Sequence, residues 1–188
     1  MEKDLRDYLI SIWSAFDPIY YYFTSKTNLT SNEGNIFRVR LTKYKGKNFV
    51  LSDGTMINKN DLLVKIHLHN SKLLKEFINM KSELKKARMI YHYVKNSLPE
   101  MDLYIQNHHY SSKIKGIIGI TTLYKGSEKL GFEVFELTNP IYKWFKQISL
   151  LPIGMLSSKK TALLTIWKTH KPSYLFMSTE KLSKMYKK

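Results

Sequence analysis

The stretch Leu62-Leu63-Val64-Lys65-Ile66-His67-Leu68-His69, followed by Asn70-Ser71, decides the fold. Leu62, Val64, Ile66 and Leu68 fall on one side of an extended chain, the period-2 pattern of a strand with a buried face. Asn70 or Ser71 is a suitable N-cap. Beyond it Leu73, Phe77, Met80, Leu84, Ala87, Tyr91 and Val94 recur at alternating spacings of four and three, the mark of an amphipathic helix. Lys72, Lys75, Lys81, Lys85, Lys86 and Arg88 lie largely off that stripe, and Pro99 is expected to end the helix. A strand running into a covering helix sets the local architecture.

Working outward on the N-terminal side, Ile36 to Tyr44 also alternates. Phe37, Val39 and Leu41 face one way, and Arg38, Arg40 and Thr42 the other. Lys45-Gly46-Lys47 turns the chain. Asn48 to Ser52 and Thr55 to Ile57 pair around Asp53-Gly54, a strong hairpin signal. Lys59-Asn60-Asp61 makes a further turn into the strand quoted above. These segments predict a small antiparallel meander.

On the C-terminal side, Leu103 to Gln106 reads as a short strand and His108 to Ser112 as a loop. Ile114 to Leu123 is β-branched and glycine-dotted, as a central strand would be. Gly126 to Gly131 is a turn or short helix, and Phe132 to Leu137 a strand. Asn139-Pro140 opens a helix to about Leu151. Ala162 to Lys168 and Tyr174 to Met177 are two more strands, the latter at a sheet edge. Ser178 caps a basic C-terminal helix with Glu180 in its first turn. Asp7 to Phe23 carries Tyr8, Ile12, Ala15 and Ile19 on one stripe, interrupted at Pro18. The expected fold is α+β: a small antiparallel β-meander plus further strands packed against a long amphipathic helix, with N- and C-terminal helices. It forms a single domain over residues 1–188, and residues 1–30 are its N-terminal aromatic helical segment.

The chain has 188 residues, long enough to bury a core without staples. It contains no cysteine, which excludes disulfides, thiolate-zinc sites, iron–sulfur clusters and cysteine nucleophiles. The first residues, Met-Glu-Lys-Asp-Leu-Arg-Asp, lack the basic region, apolar run and small-residue cleavage site of a signal peptide. The apolar windows Tyr8 to Phe23 and Ile148 to Leu156 are broken or too short to span a bilayer. A cytoplasmic protein, or one peripheral on a membrane, is expected. Lys and Arg outnumber Asp and Glu by 31 to 15, a formal charge of +16. That surplus suits anionic partners: glycan, lipid headgroups or nucleic acid. It also fits a merely lysine-rich, well-solvated surface.

His67 and His69 project to one strand face, roughly 7 Å apart by strand geometry, with Lys65 beside them. Asp61, Lys65, His67, His69 and Asn70 are the catalytic candidates. A lysine next to two imidazoles opposes a cation, so no metal site is expected, and no cofactor motif is present. The plain alternative is a solvated polar face with hydrogen-bonded histidines. Arg38, Arg40 and Lys65 are anion-binding candidates. His108-His109 are adjacent in a loop, and adjacent side chains are expected to diverge. Trp13, Tyr20, Tyr21, Trp144 and Phe145, flanked by lysines, could form a membrane-surface anchor or simply pack in the core. Arginine with Tyr44 on a sheet could also stack bases, which keeps nucleic acid as a weaker option.

Several phrases carry a resemblance: Ser11-Ile12-Trp13, Asp17-Pro18-Ile19-Tyr20, Phe37-Arg38-Val39-Arg40-Leu41, Leu51-Ser52-Asp53-Gly54, Lys65-Ile66-His67-Leu68-His69-Asn70, Leu130-Gly131-Phe132 and Pro172-Ser173-Tyr174-Leu175-Phe176-Met177-Ser178. Together they resemble the YkoP-like family of Bacillus and relatives over nearly the whole chain. Members of that family stand alone or follow a polysaccharide-deacetylase domain. The resemblance therefore implies a role near cell-envelope glycans and a polysaccharide deacetylase as a partner, and it brings no catalytic residues. The leading expectation is a non-catalytic accessory or binding domain of envelope polysaccharide metabolism, touching anionic glycan or an anionic lipid surface. The alternatives are a group-transfer enzyme acting on an envelope polymer and a nucleic-acid binder.

Overall fold

The computed structural model describes residues 27–28, 35–68, 73, 76–77, 80, 82–122, 124–137 and 172–187. The segments expected as helices over 7–23 and 139–151, and as a strand over 162–168, lie outside the described residues.

The architecture is α+β. Eight strands are described: β1 Thr27–Asn28, β2 Phe37–Lys43, β3 Phe49–Val50, β4 Met56–Ile57, β5 Leu62–Leu68, β6 Ile114–Thr121, β7 Glu133–Glu136 and β8 Ser173–Ser178. Six form one sheet in the order β1-β2-β5-β6-β8-β7, and β3 and β4 pair in a sheet of their own. All pairs are antiparallel except β5 with β6. Between those parallel strands runs helix α1, Glu83–Gln106, because parallel neighbours need a long crossover. Helix α2, Thr179–Tyr186, follows β8 directly.

The expected meander divides between two sheets, with only β2–β5 and β3–β4 paired within it, both antiparallel. β2 pairs directly with β5 through seven residues, and the β3–β4 hairpin folds over one end of the large sheet. Gly54 sits at φ +86° in that hairpin's turn, a conformation suited to glycine.

One sheet face is the main core. Phe37, Val39, Val64, Ile66, Ile117, Leu175 and Met177 pack with Leu98, Met101 and Ile105 of α1 and Leu182 of α2. The opposite face holds a smaller core of Leu63, Ile118 and Phe176 under Leu51 and Ile57 of the hairpin. β5 is therefore apolar on both faces at Leu63 and polar on its second face only at Lys65 and His67.

Leu73, Glu76 and Phe77 are helical, but the long helix begins later than expected, and Asn70 and Ser71, expected as its N-cap, lie outside the described residues. Its N-cap is Ser82, whose Oγ accepts from Lys85 N at 3.3 Å. Leu84 and Ala87 are exposed, while Lys86 is buried. The buried stripe is Ile90, Val94, Ser97, Leu98, Met101 and Ile105, the first two half-buried. Pro99 lies inside the helix, which continues to Gln106, so Leu103–Gln106 is helical rather than a strand. The apolar contacts of Met101 and Ile105 outweigh the single backbone bond that a proline removes. β8 is likewise not an edge strand, since β7 lies outside it.

Candidate functional site

The pleat of β2 puts Arg38, Arg40 and Thr42 on the face away from α1, and β5 adds Leu63, Lys65 and His67 to the same face. Register then decides who meets whom. Arg38 lies directly opposite His67, and Arg40 directly opposite Lys65. Side chains opposite one another across an antiparallel pair have Cβ atoms about 5 Å apart. Three fixed cations and an imidazole thus share one patch, and all four are half-buried. On the β6 side the patch borders Ile118, the partner of Lys65.

Like charges directly opposite in a sheet destabilise it. A group that accepts hydrogen bonds and carries negative charge would offset that cost. The Nε atom of Arg40 is buried and donates to no acceptor among the described residues. Arg38, Lys65 and His67 each make a further contact of their own. A guanidinium presents five N–H donors in a planar fork, a geometry that matches a carboxylate or phosphate.

The other catalytic candidates do not gather here. Asp61 precedes β5 at its far end, six residues from His67 and so about 20 Å away along the strand. Its Oδ2 accepts from Asn58 N at 2.7 Å and closes the turn. His69 and Asn70 lie outside the described residues, as do Trp13, Tyr20, Tyr21, Trp144 and Phe145. Among the described residues no three histidine or acidic side chains converge in a way that could hold a metal ion. No helix among them is long and apolar enough to cross a membrane.

A polar tie at the other end of this face was missed by sequence reasoning. Ser178 Oγ donates to Asp53 and accepts from Lys181 N at 2.9 Å, which caps α2. Thr55 N donates to the other Asp53 oxygen at 3.0 Å. Burial raises the Asp53 carboxyl, but the bonds from Ser178 and Thr55 and the charge of Lys181 outweigh it and hold the carboxyl below its ordinary value. Beside it, Ser52 donates to Glu133 through both N (3.0 Å) and Oγ (2.6 Å). Glu133 also meets Lys181 Nζ at 3.5 Å. Under this tie, Phe49, Phe135 and Phe176 cluster in tilted and edge-to-face contacts with centroids 4.5–5.5 Å apart. The hairpin is fastened to the sheet and leaves the cationic patch beside it.

A second feature lies beyond α1. His108 and His109 do not diverge: their rings stack at 4.5 Å and 21°, and His109 meets Tyr110 at 3.9 Å. The turn after Gln106 brings these rings together. Burial, then the charge of His109, lower the His108 pKa from its ordinary value. Next to the stack is a cleft of about 540 Å³ lined by Lys43, Asn60, Asp61, Leu62, Tyr110 and Lys113.

Comparison with known proteins agrees with the sequence resemblance. The family model described as YkoP domain matches residues 6–186. A Bacillus subtilis (strain 168) protein described as "Uncharacterized protein YkoP" is 50% identical over 186 residues, 98% of this chain and 99% of that one. No solved structure matches the chain. The match spans the described sheets, α1, α2 and the cationic patch, and the chain belongs to the YkoP domain family.

Proposed function

We propose that this protein is a non-catalytic binding domain of cell-envelope polysaccharide metabolism, and that the Arg38–Arg40–Lys65–His67 face holds an anionic glycan. The observation that carries this reading is the β2–β5 register, which sets Arg40 opposite Lys65 and Arg38 opposite His67. Paired arginines suit carboxylate or phosphate groups by planar, two-point hydrogen bonding. A group-transfer centre would want a carboxylate within reach of His67 to orient the imidazole, and Asp61 sits at the wrong end of β5.

The test is a binding panel with the full chain: polygalacturonate, neutral dextran, vesicles of anionic phospholipid and single-stranded DNA. Polygalacturonate is expected to bind most tightly, dextran not at all. Arg38→Gln with Arg40→Gln should cost about tenfold or more in affinity, since charge-assisted hydrogen bonds contribute about 1.5–3 kcal/mol each. Tighter binding to vesicles would favour a membrane-surface role, and tighter binding to DNA a nucleic-acid role. Either outcome would displace the glycan reading.

A further inference from the structure

We infer a second carbohydrate subsite at the opposite end of the β2–β5 pair: the cleft between Lys43, Asp61, Tyr110 and Lys113 takes one sugar ring bearing a single negative charge. The place is distinct from the cationic face. Lys43 pairs with Leu62, whereas Arg38 pairs with His67, so the two lie five residues apart along β2, about 17 Å. The choice of a glycan ligand rests on the reading above, while the cleft itself stands on its own geometry.

Tyr110 is 42% exposed, yet its ring is not loose. His109 packs against it at 3.9 Å and His108 stacks on His109 at 4.5 Å. Tyr110 N also donates to His108 Nδ1 at 3.1 Å, which fixes the turn. A rigid, exposed aromatic ring loses little entropy when a ligand covers it. The C–H face of a pyranose is apolar and matches such a ring. Lys113 Nζ lies over the Tyr110 ring, 5.8 Å from its centroid, and a sugar stacking there displaces the flexible lysine arm so that its ammonium meets the ligand's anion. Lys43 lines the same cleft from β2.

Asp61 selects among anionic ligands. One carboxylate oxygen is engaged by Asn58 N, and the other can accept from sugar hydroxyls. Two lysines and one aspartate leave a single net positive charge in the cleft. That balance suits a monoanionic sugar such as a uronic acid. A nucleotide could also stack on Tyr110, but its phosphates would meet the Asp61 charge.

The experiment is a titration of the full chain, followed by backbone amide chemical shifts, with tetragalacturonate, neutral cellotetraose and tetrauridylate as probes. Tetragalacturonate should shift Lys43, Asn60, Tyr110 and Lys113. Tyr110→Ala, or Lys43→Gln with Lys113→Gln, should weaken those shifts at least fivefold in affinity, and Tyr110→Phe should keep them. All three side chains are exposed, so the variants should fold. Unmoved cleft resonances, equal binding of cellotetraose, or tighter binding of tetrauridylate would overturn the inference. Failure here with intact loss in the Arg38→Gln, Arg40→Gln variant removes the cleft alone. Cleft shifts that persist while that variant binds polymer normally remove the sheet-face reading alone.

Discussion

Asp53 and Ser178, 125 residues apart, join the β3–β4 hairpin to the start of α2. Ser178→Ala removes both the N-cap acceptor and the donor to Asp53, and should cost about 1–2 kcal/mol in urea unfolding. Asp53→Asn tests the charge. The folded Asp53 carboxyl lies below its ordinary 3.8, so its stabilising contribution is complete above that value and is lost as pH falls through the lower folded value. Wild type should therefore lose stability on acidification below about pH 3.8 more steeply than Asp53→Asn, with thermal unfolding across that range as the measurement. A steeper loss in the variant would contradict the assignment. None of this was visible in the sequence. Asp53-Gly54 announced a turn and Ser178 a cap, both correctly, but nothing local reveals that two such residues meet. Arg38 and Arg40 were legible as one face because a strand has period 2, while their partners His67 and Lys65 depend on register.

Among the elements, β6 is tightly constrained at Gly116. A Cβ on Gly116 would lie 2.4 Å from Met177 O, a backbone atom of the neighbouring strand, so Gly116→Ala should destabilise by about 1–3 kcal/mol. Leu98, fully buried in the middle of α1, should lose about 2–5 kcal/mol on truncation to Ala. Leu84→Ala, on an exposed site, should change little in the same denaturation series. Strong periodicity made β2, β5 and β6 readable. The limits of α1 were not, for two physical reasons. The spacing of Leu73, Phe77 and Met80 continues numerically into Leu84, Ala87 and Tyr91, but the cap at Ser82 starts the long helix there and turns Leu84 and Ala87 outward. Pro99 weakens a helix locally, and the burial of Leu98, Met101 and Ile105 holds it regardless.

At the scale of the whole molecule, the hairpin and the cationic patch divide one sheet face between them. The direct antiparallel β2–β5 pair was not legible, because a meander pairs strands consecutive in the chain. The parallel β5–β6 pair was not legible either, since a strand expected at Leu103–Gln106 hid α1 as its uninterrupted crossover. The separation of β3 and β4 into their own sheet was not legible, because alternation marks a strand without naming its neighbour. A formal charge of +16 could act everywhere on the surface or at one place. The decisive measurement compares polygalacturonate affinity of Arg40→Gln, Lys65→Gln with that of Lys47→Gln, Lys184→Gln, two pairs that remove the same charge. Lys47 and Lys184 are exposed, and neither belongs to β2 or β5. The sheet-face pair should lose about tenfold or more and the control pair less than about threefold, as screened surface charges contribute little individually. Equal losses in both would mean that diffuse charge, not the register of β2 against β5, holds the polymer.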